Sequence, residues 1–576
     1  MGPERSDKET PQRNLDPKAN LSENLLNIPA SVAPEVELLW RGKTRHKNRK
    51  VDALRLVERV HIIPNLCAGT LRRSKSAQDP WNNKLIRGDN RLVMSSLLTD
   101  RMRREIDDVG GIKLIYIDPP FLVGSDYKMT LLIGEDNQDR PNIVQEFAYK
   151  DSWEAGPSAY LDMMYERLWL INELLADDGS IWVHCDWKAN FMLRSILDEV
   201  FGSTAFRNEI IWYYTNKIPD TRKRQYTNAT DTIFYYCKSD RSIFNWQFEK
   251  REKPIRVSRM QKVEGKKIYP KGPDGKCVYV TREERTADNV WKFPLLHAHP
   301  EMWGYPTQKP MRLLERIMLT GTNEGDLVAD FFCGSGTSLE VAQRLGRKWI
   351  GCDLGKIAVH VCRKRMVKTL NEVMRLSEKV FGFDVLEAEE PEDLKLKKAA
   401  NAVPVNDYHR GEYNLAKDLA YFKVNISINA LTVSVTLVDF CALSGRTINE
   451  IFQFKGKTGS SRIILDNGQL VKIVNKKDGS EQRCLLTQKW SDWIDCWAVD
   501  FEYGAAQLQS GEQPRVEPDG PIFNSVWHSF RTPKRRSIEL SSPTWEYECP
   551  GNYNIAVKVI DIFGNETFQV LGIEVL

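Results

Sequence analysis

The chain has 576 residues, a length that predicts two to four domains. Hydrophobic residues make up 41% of it, but no apolar run approaches the roughly 18 residues of a membrane span, so we expect no membrane association. The 11 cysteines form no CxxC pair and show no metal-ligand spacing, which predicts reduced thiols and no metal site. The polar start of the chain has no signal-peptide pattern, and we expect a cytoplasmic protein.

A short apolar run at 114–117 ends in Asp118, Pro119, Pro120 and Phe121. Such a run is typical of a strand buried on both faces of an α/β sheet, where ligands bind at the carboxyl ends of the strands. Since proline has no N–H group, the carbonyl groups around it are left free to face something other than a neighbouring strand. One acid, one oriented carbonyl and one flat ring are suited to holding a planar, amino-substituted base. The alternative interpretation is an ordinary tight loop.

A second predicted strand, 327–330, runs into a glycine-rich turn containing Gly334 and Gly336 and then into a helix closed by Gly346. Glycines there let the backbone approach a ligand, and the helix start offers free N–H groups. The spacing lacks the full GxGxxG pattern and no P-loop lysine follows, which favours a nucleoside cofactor other than a dinucleotide. A third predicted strand ends at Asp353, about where a ribose-binding carboxylate follows a first βα turn.

The segment 305–310, with the sequence YPTQKP, precedes an amphipathic helix. Pro310 is well placed for the start of that helix. The apolar positions that define its buried face are Leu313, Leu314, Ile317 and Met318.

With these three segments in the order 118–121, 307–310 and 330–337, the chain resembles the β-class DNA amino-methyltransferases of the N6-adenine/N4-cytosine family. It is similar in particular to the modification subunits of type III restriction-modification systems. The resemblance covers about residues 35–375. It implies an α/β, Rossmann-like methyltransferase sheet, S-adenosylmethionine as cofactor and double-stranded DNA as substrate.

The resemblance also implies roles for individual residues. Asp118 and the carbonyl of Pro119 would accept the amino hydrogens of a flipped-out base, Phe121 would stack on it, and Pro120 completes the catalytic segment. Aspartate at position 118 favours adenine, since relatives that act on cytosine N4 more often have serine there. The residues expected to hold the cofactor are Thr307, Gln308, Lys309, Asp330, Phe332, Gly334, Gly336, Thr337 and Asp353.

Positive charge is concentrated in residues 203–285, which contain 19 Lys plus Arg against 10 Asp plus Glu, although the whole chain carries only +4. This is where the family has its target-recognition region, and we expect it to contact DNA phosphates. The predicted phosphate contacts are Arg222, Lys223, Arg224, Lys250, Arg251, Lys266 and Lys267. The interleaved aromatic residues are Trp212, Tyr213, Tyr214 and Tyr226. The alternative is a solvated basic loop with these aromatic rings buried beneath it.

The predicted domain organisation is a disordered tail (1–34), a catalytic part (35–202), the basic insert (203–285), a cofactor-binding part (286–385), a charged linker (386–409) and an all-β region (410–576). Alternating apolar and polar residues predict the strands of this last region, which is most simply a sandwich. Its end resembles the polycystic-kidney-type immunoglobulin-like domain. We expect a docking module for a partner subunit or for DNA.

The sequence therefore predicts a DNA adenine N6-methyltransferase that serves as the modification component of a restriction-modification or phage-defence system. One alternative is a cytosine-N4 methyltransferase. Another is a catalytically silent DNA-recognition subunit of a nuclease or helicase complex. A restriction or helicase subunit and a second copy of the chain are the expected protein partners.

Overall fold

The structure is a computed structural model. It describes residues 37–43, 51, 53–62, 70–71, 81–124, 127–134, 143–149, 151, 153, 156–219, 221–222, 224–263, 266–297, 299–374, 381–389, 420–441, 461–466, 469–475, 480–504 and 521–576. The predicted tail, most of the predicted linker and Lys223 lie outside them. In the described part of the chain, no helix is long and apolar enough to cross a membrane, and no group of three or more His, Cys, Asp or Glu side chains is arranged to hold a metal ion.

The strands are β1 Leu54–Ile62, β2 Thr70–Leu71, β3 Asn83–Arg87, β4 Ile112–Ile117, β5 Tyr127–Leu132, β6 Ile143–Tyr149, β7 Leu175–Cys185, β8 Phe206–Tyr214, β9 Thr230–Cys237, β10 Phe248–Ser258, β11 Gln261–Val263, β12 Lys266–Ile268, β13 Tyr279–Thr286, β14 Val290–Phe293, β15 Leu327–Asp330, β16 Lys348–Asp353, β17 Phe381–Ala388, β18 Tyr421–Asn429, β19 Thr432–Cys441, β20 Ser461–Asp466, β21 Gln469–Asn475, β22 Glu481–Leu485, β23 Ile494–Asp500, β24 Phe523–Ser525, β25 Trp527–Phe530, β26 Thr544–Glu546, β27 Gly551–Asp561 and β28 Glu566–Val575. The α-helices are α1 Asn90–Leu97, α2 Asp100–Asp108, α3 Pro157–Leu174, α4 Asn190–Phe201, α5 Met311–Gly321, α6 Thr337–Arg344 and α7 Lys356–Met374.

Eleven of these strands form one mixed sheet in the order β14-β8-β9-β7-β4-β15-β16-β3-β17-β1-β24. Its centre is parallel from β7 through β4, β15 and β16 to β3. The carboxyl ends of these strands therefore meet at one edge of the sheet, which is where ligands bind in open α/β sheets. The predicted α/β methyltransferase fold class is confirmed.

The central strands are buried because their residues face apolar clusters on both sides of the sheet. In β4, Ile115 and Ile117 pack into the cluster built with α1 to α4. Leu114 and Tyr116, which alternate with them, pack into the cluster that contains residues of α5, α6 and α7. A period of two in the strand thus divides its side chains between two helical layers.

The predicted basic insert is only partly separate from the sheet. Strands β8 and β9, which fall within 203–285, pair with each other, and β9 also pairs with β7. They do so because Ile210, Trp212 and Tyr235 belong to one of the two apolar clusters of the sheet. The small two-stranded sheets β10-β13 and β11-β12 form the part that lies outside the main sheet.

The C-terminal region is all-β, as predicted, and it is continuous with the methyltransferase part. Strand β24 pairs in parallel with β1 at the edge of the main sheet, while β2 pairs with β26. The cluster that buries Trp497 and Trp545 also includes Met129, Leu131 and Tyr305. The resemblance of the end of the C-terminal region to the polycystic-kidney-type immunoglobulin-like domain stays a prediction.

Candidate active site

One cavity of about 650 Å³ lies at the carboxyl ends of the central strands. Asp118 directly follows β4, while Asp330 and Asp353 are the last residues of β15 and β16. All three line the cavity. Of the thirteen residues predicted for catalysis and cofactor binding, Gly336 is the one missing from the cavity wall. The three sequence segments and Asp353, which is 235 positions beyond Asp118, therefore meet in a single space.

Asp118 is held by a buried cation on one side and leaves an acceptor on the other. The ammonium group of Lys309 donates a hydrogen bond to Oδ2 of Asp118 and lies 5.2 Å from the centre of the Phe121 ring. Oδ1 of Asp118 is shielded from solvent and accepts no hydrogen bond from any described residue. A buried oxygen with no donor costs free energy, so a ligand that supplies an N–H group there would be stabilised.

A buried histidine lies behind Asp118. Nδ1 of His184 is 3.8 Å from Oδ1 of Asp118 and 2.9 Å from the hydroxyl of Tyr116. Its Nε2 lies 3.1 Å from Oδ2 of Asp231, on β9. Burial alone would raise the pKa of Asp231, but the hydrogen bond and charge of His184 outweigh it and lower that pKa. No pattern in the sequence indicated this contact.

The loop that carries the catalytic segment is fastened by Asp151, which the sequence analysis did not identify. Its carboxylate accepts hydrogen bonds from the backbone N–H groups of Phe121 (3.2 Å), Leu122 (2.9 Å) and Val123 (3.0 Å). Leu122 has a φ of 60°, a left-handed conformation that a leucine rarely adopts. Three donors converging on one carboxylate hold the loop in this shape.

At the other end of the cavity, two acids organise the glycine-rich turn. Asp353 accepts hydrogen bonds from the N–H groups of Gly334 (2.9 Å) and Gly355 (2.8 Å). Asp330 accepts from the N–H of Phe332 at 3.0 Å and from the hydroxyl of Ser338. Burial raises the pKa of Asp353, and it raises the pKa of Asp330 to about 7.

Gly336 has a packing role in this turn. It begins α6 with a φ of 75°, and a Cβ atom placed on it would lie 2.3 Å from Sγ of Cys362. No other residue fits between α6 and α7 at this point. The hydroxyl of Thr337 is likewise occupied, since it accepts a hydrogen bond from Arg365 at 2.8 Å.

The residues of the Thr307–Gln308–Lys309 segment contact different parts of the structure. Lys309 reaches Asp118, whereas Gln308 bonds the preceding loop: its Nε2 donates to the carbonyl of Glu301 (2.7 Å), and its Oε1 accepts from the N–H of Trp303 (3.0 Å). Thr307 lines the cavity with a φ of 60°. Within the described contacts, this places Lys309 nearer to the catalytic acid than to the glycine-rich turn.

Two polar residues from the amino-terminal half support the same turn. Asn90 donates to the carbonyl of Phe331 at 2.8 Å, and Arg167 donates to Oδ1 of Asn90 at 2.6 Å. Arg167 also pairs with Asp89 at 3.0 Å. No short motif contains these contacts, because α1 and α3 meet only in the folded chain.

The cavity has the size and chemistry for S-adenosylmethionine. Its volume lies within the range of small-molecule sites. Asp353, the glycine turn and Phe332 line it together with Asp118, which follows β4, two strands away from β16 in the sheet. A cofactor whose nucleoside lay by Asp353 would have room to extend toward Asp118.

The predicted DNA contacts are largely exposed. Arg222, Arg224, Lys250, Lys266 and Lys267 are exposed, while Arg251 is half-buried and donates to the carbonyl of Glu284 at 3.1 Å. The aromatic residues named with them divide: Trp212 and Tyr214 are buried in the sheet, whereas Tyr213 and Tyr226 are exposed. The aromatic part of this predicted surface is therefore smaller than the sequence suggested.

Residues 112–364 match the N6/N4 methyltransferase family, described as DNA methylase. The chain is 29% identical over 335 residues to the type II methyltransferase M.EcaI of Enterobacter cloacae, covering 49% of this chain and 69% of that protein. It is 28% identical over 260 residues to the type II methyltransferase M2.DpnII of Streptococcus pneumoniae, covering 44% and 82%.

Among solved structures, the chain resembles the PvuII DNA methyltransferase, described as cytosine-N4-specific, with 19% identity and a TM-score of 0.31, covering 49% of this chain and 86% of that one. That likeness carries no argument about the target base, and similarity to type III modification subunits stays a prediction. The family match and the type II relatives support a DNA amino-methyltransferase whose cofactor is S-adenosylmethionine.

Proposed function

We propose that the protein transfers a methyl group from S-adenosylmethionine to the exocyclic N6 amino group of adenine in double-stranded DNA, as the modification component of a restriction-modification or phage-defence system. The observation that carries the proposal is the single cavity shared by Asp118 and Asp353. It allows a donor held at one end and an amino group held at the other to meet in line. Such positioning can remove roughly 7–11 kcal/mol of barrier in well-oriented reactions.

The amino nitrogen of adenine is a poor nucleophile because its lone pair is delocalised into the ring. Oδ1 of Asp118, which lacks a donor among the described residues, would accept one amino hydrogen, and the carbonyl of Pro119 would accept the other. Two acceptors on one nitrogen favour its pyramidal form, in which the lone pair is available. Phe121 would stack on the base and fix its plane.

When bound, S-adenosylmethionine would supply an electrophilic methyl group, and its transfer to nitrogen would leave the electrons of the broken C–S bond on sulfur. Asp118 would receive the proton that the methylated nitrogen then releases. Lys309 holds Oδ2 of the same carboxylate throughout, so that Oδ1 stays directed at the amino group. Asp330, Asp353 and the glycine-rich turn would hold the cofactor.

Because the target nitrogen is paired inside the duplex, the base must be flipped out, at a cost of about a few kcal/mol. The exposed basic residues of 203–285 are proposed to offset this cost by binding phosphates. Aspartate at position 118 supports adenine over cytosine as the target.

The test is incubation of unmethylated DNA with the protein and methyl-labelled cofactor, followed by mass spectrometry of the nucleosides. Wild type should yield N6-methyladenine, and Asp118→Ala should lower the rate by about 10²–10⁴-fold while binding the cofactor as wild type does in calorimetry. Asp240→Ala, at a fully exposed acid, is the matched control. Detection of N4-methylcytosine in place of N6-methyladenine would show that the target base is cytosine. Loss of cofactor binding in a folded Asp118→Ala protein would contradict the role given to Asp118.

A further inference from the structure

The C-terminal all-β region contributes a wall to the cofactor end of the cavity. The turn between β27 and β28 carries Phe563, which lines the cavity together with Asp353, Leu354, Lys356 and Ile357. Phe563 is 8% exposed, and its ring lies 6.4 Å from that of Trp493 in an edge contact. A residue 210 positions beyond Asp353 thus lines the same cavity as the acid proposed to hold the cofactor.

The turn is held in place by its own acid. The carboxylate of Asp561 accepts hydrogen bonds at 2.8 Å from the N–H groups of both Phe563 and Asn565. The N–H of Ile562 donates to the carbonyl of Trp493 at 2.9 Å. These bonds fix the backbone of the turn and the contact with Trp493 restrains the ring of Phe563, so less of the ring's freedom is lost when a ligand binds.

The turn is also tied directly to the methyltransferase part. Nζ of Lys356, the first residue of α7, donates to Oδ1 of Asn565 at 2.9 Å. Lys356 lies three residues after Asp353, in the segment that lines the same end of the cavity. The contact therefore holds the turn against the cofactor end of the site and away from the catalytic segment.

We propose that Phe563 is a cofactor-binding residue whose ring packs on the adenosine portion of S-adenosylmethionine. A flat apolar ring beside a carboxylate matches adenosine, which presents a flat base and ribose hydroxyls. The C-terminal region then completes the cofactor site in addition to any docking role. This inference rests on the proposed function for the identity of the ligand.

The experiment is calorimetric titration of the full-length protein with S-adenosylmethionine and, separately, with 5′-methylthioadenosine, which keeps the adenosine and lacks the amino-acid part. Phe563→Ala should weaken both ligands by about tenfold, or about 1.4 kcal/mol. Phe563→Leu keeps an apolar side chain for the contact with Trp493 and should weaken both ligands less. Phe568→Ala is the control, since Phe568 lies on the same hairpin with its ring against Tyr503 and Phe523.

Thermal unfolding without ligand establishes that each variant is folded. If Phe563→Ala does not fold, the affinities of Phe563→Leu test the inference. Wild-type affinity for the cofactor in the folded variants would overturn the inference. So would weaker binding of S-adenosylmethionine with unchanged binding of 5′-methylthioadenosine, because the contact would then lie on the amino-acid part. Binding is measured without DNA, so a wild type that binds the cofactor and methylates no base would refute the proposed function alone.

Discussion

Lys309 donates a hydrogen bond to Asp118 across 191 positions of the chain, and both residues line the same cavity. Lys309 is 8% exposed. A cation this well buried beside a carboxylate fixes the position of that carboxylate as well as its charge. The pair thus connects the Thr-Gln-Lys-Pro segment to the catalytic segment.

Replacing Lys309 should therefore affect turnover more than cofactor binding. We expect Lys309→Met to lower kcat by about 10²-fold, comparable to the loss of a preorganised polar contact in an active site, with the Kd for S-adenosylmethionine within a few-fold of wild type. Lys113→Met removes another lysine–aspartate pair, with Asp178 at the opposite end of β4, and serves as control. A large rise in Kd with unchanged kcat would instead support the cofactor-binding role predicted from the sequence.

The catalytic loop should depend on Asp151. Asp151→Ala would leave the N–H groups of Phe121, Leu122 and Val123 without their acceptor, and we expect it to cost roughly 1–3 kcal/mol of unfolding free energy and to lower kcat. Denaturant unfolding and steady-state kinetics measure the two effects. Asp108→Ala, at an exposed position of α2, should change neither. An unchanged kcat in Asp151→Ala would show that the loop keeps its shape without this carboxylate.

Local patterns in the sequence were sufficient for the strands and the turn of the site. The apolar runs that form β4 and β15 are short and continuous, and an acid ends each of them. The glycines before α6 predicted a tight turn. The order of the three segments then indicated that Asp118 and Asp353 would share a site. Each of these segments is no longer than eight residues, and only their order along the chain is a long-range signal.

The residues that the sequence did not reveal act through long-range contacts. His184, Asp151 and Phe563 each touch the site from an element whose position is set by packing far along the chain. For the same reason the sequence left open whether the ring of Trp212 is exposed or buried, and in the structure it packs into the sheet. A single sequence records side-chain chemistry and local period, and neither one specifies which strands become neighbours.

The basic surface should contribute affinity without sequence preference. Lys266→Ala combined with Lys267→Ala should weaken DNA binding similarly for all sequences and lower the slope of log K against log salt by up to about 1.8, since each phosphate contact contributes about 0.9. Binding titrations at several salt concentrations measure this slope. Arg101→Ala with Arg104→Ala, on the helix that precedes β4, is the control. An unchanged slope in the lysine variant would remove these residues from the DNA surface.

The contribution of Asp330 to the stability of the protein without cofactor should fall between about pH 4 and pH 7. Burial raises the pKa of Asp330 to about 7, against hydrogen bonds from Ser338 and Phe332 that lower it. Between its ordinary pKa near 4 and about 7, the folded state binds a proton that the unfolded state has lost, so stability is lost as the pH rises through this window, by up to about 1.4 kcal/mol per pH unit.

Asp500 and Asp561, whose pKa values burial raises to about 7 and about 6, add to the same slope. Asp330→Asn removes one of these three contributions, so a plot of its unfolding free energy against pH should have a less negative slope than that of wild type between pH 5 and pH 7. Denaturant titrations at a series of pH values, with Asp240→Asn as control, compare the slopes. Parallel curves for Asp330→Asn and wild type would mean that Asp330 is ionised in the folded protein.

The methyltransferase part and the C-terminal region should unfold as one unit, because a buried ion cluster joins them. Glu58 of β1 lies beside Arg363 of α7 and Lys558 of β27, which is 2.9 Å away, and it accepts a hydrogen bond from Ser525 at 2.7 Å. Burial alone would raise the pKa of Glu58, but the two cations outweigh it and hold that pKa well below its usual range. The carboxylate is thus charged in the folded protein, and together with Glu566, which lies 3.4 Å from Lys558, it balances the two cations.

Glu58→Gln would leave Arg363 and Lys558 buried without that charge, which we expect to cost about 3–5 kcal/mol. Calorimetry should show one transition in wild type and one, at a lower Tm, in the variant, because β1 and β24 pair directly across the two parts. Glu539→Gln, which removes an exposed pair with Arg535, should cost no more than about 1 kcal/mol. Two resolved transitions in wild type would show that the C-terminal region folds independently, in which case a turn such as the one bearing Phe563 would have to dock on the cavity after folding.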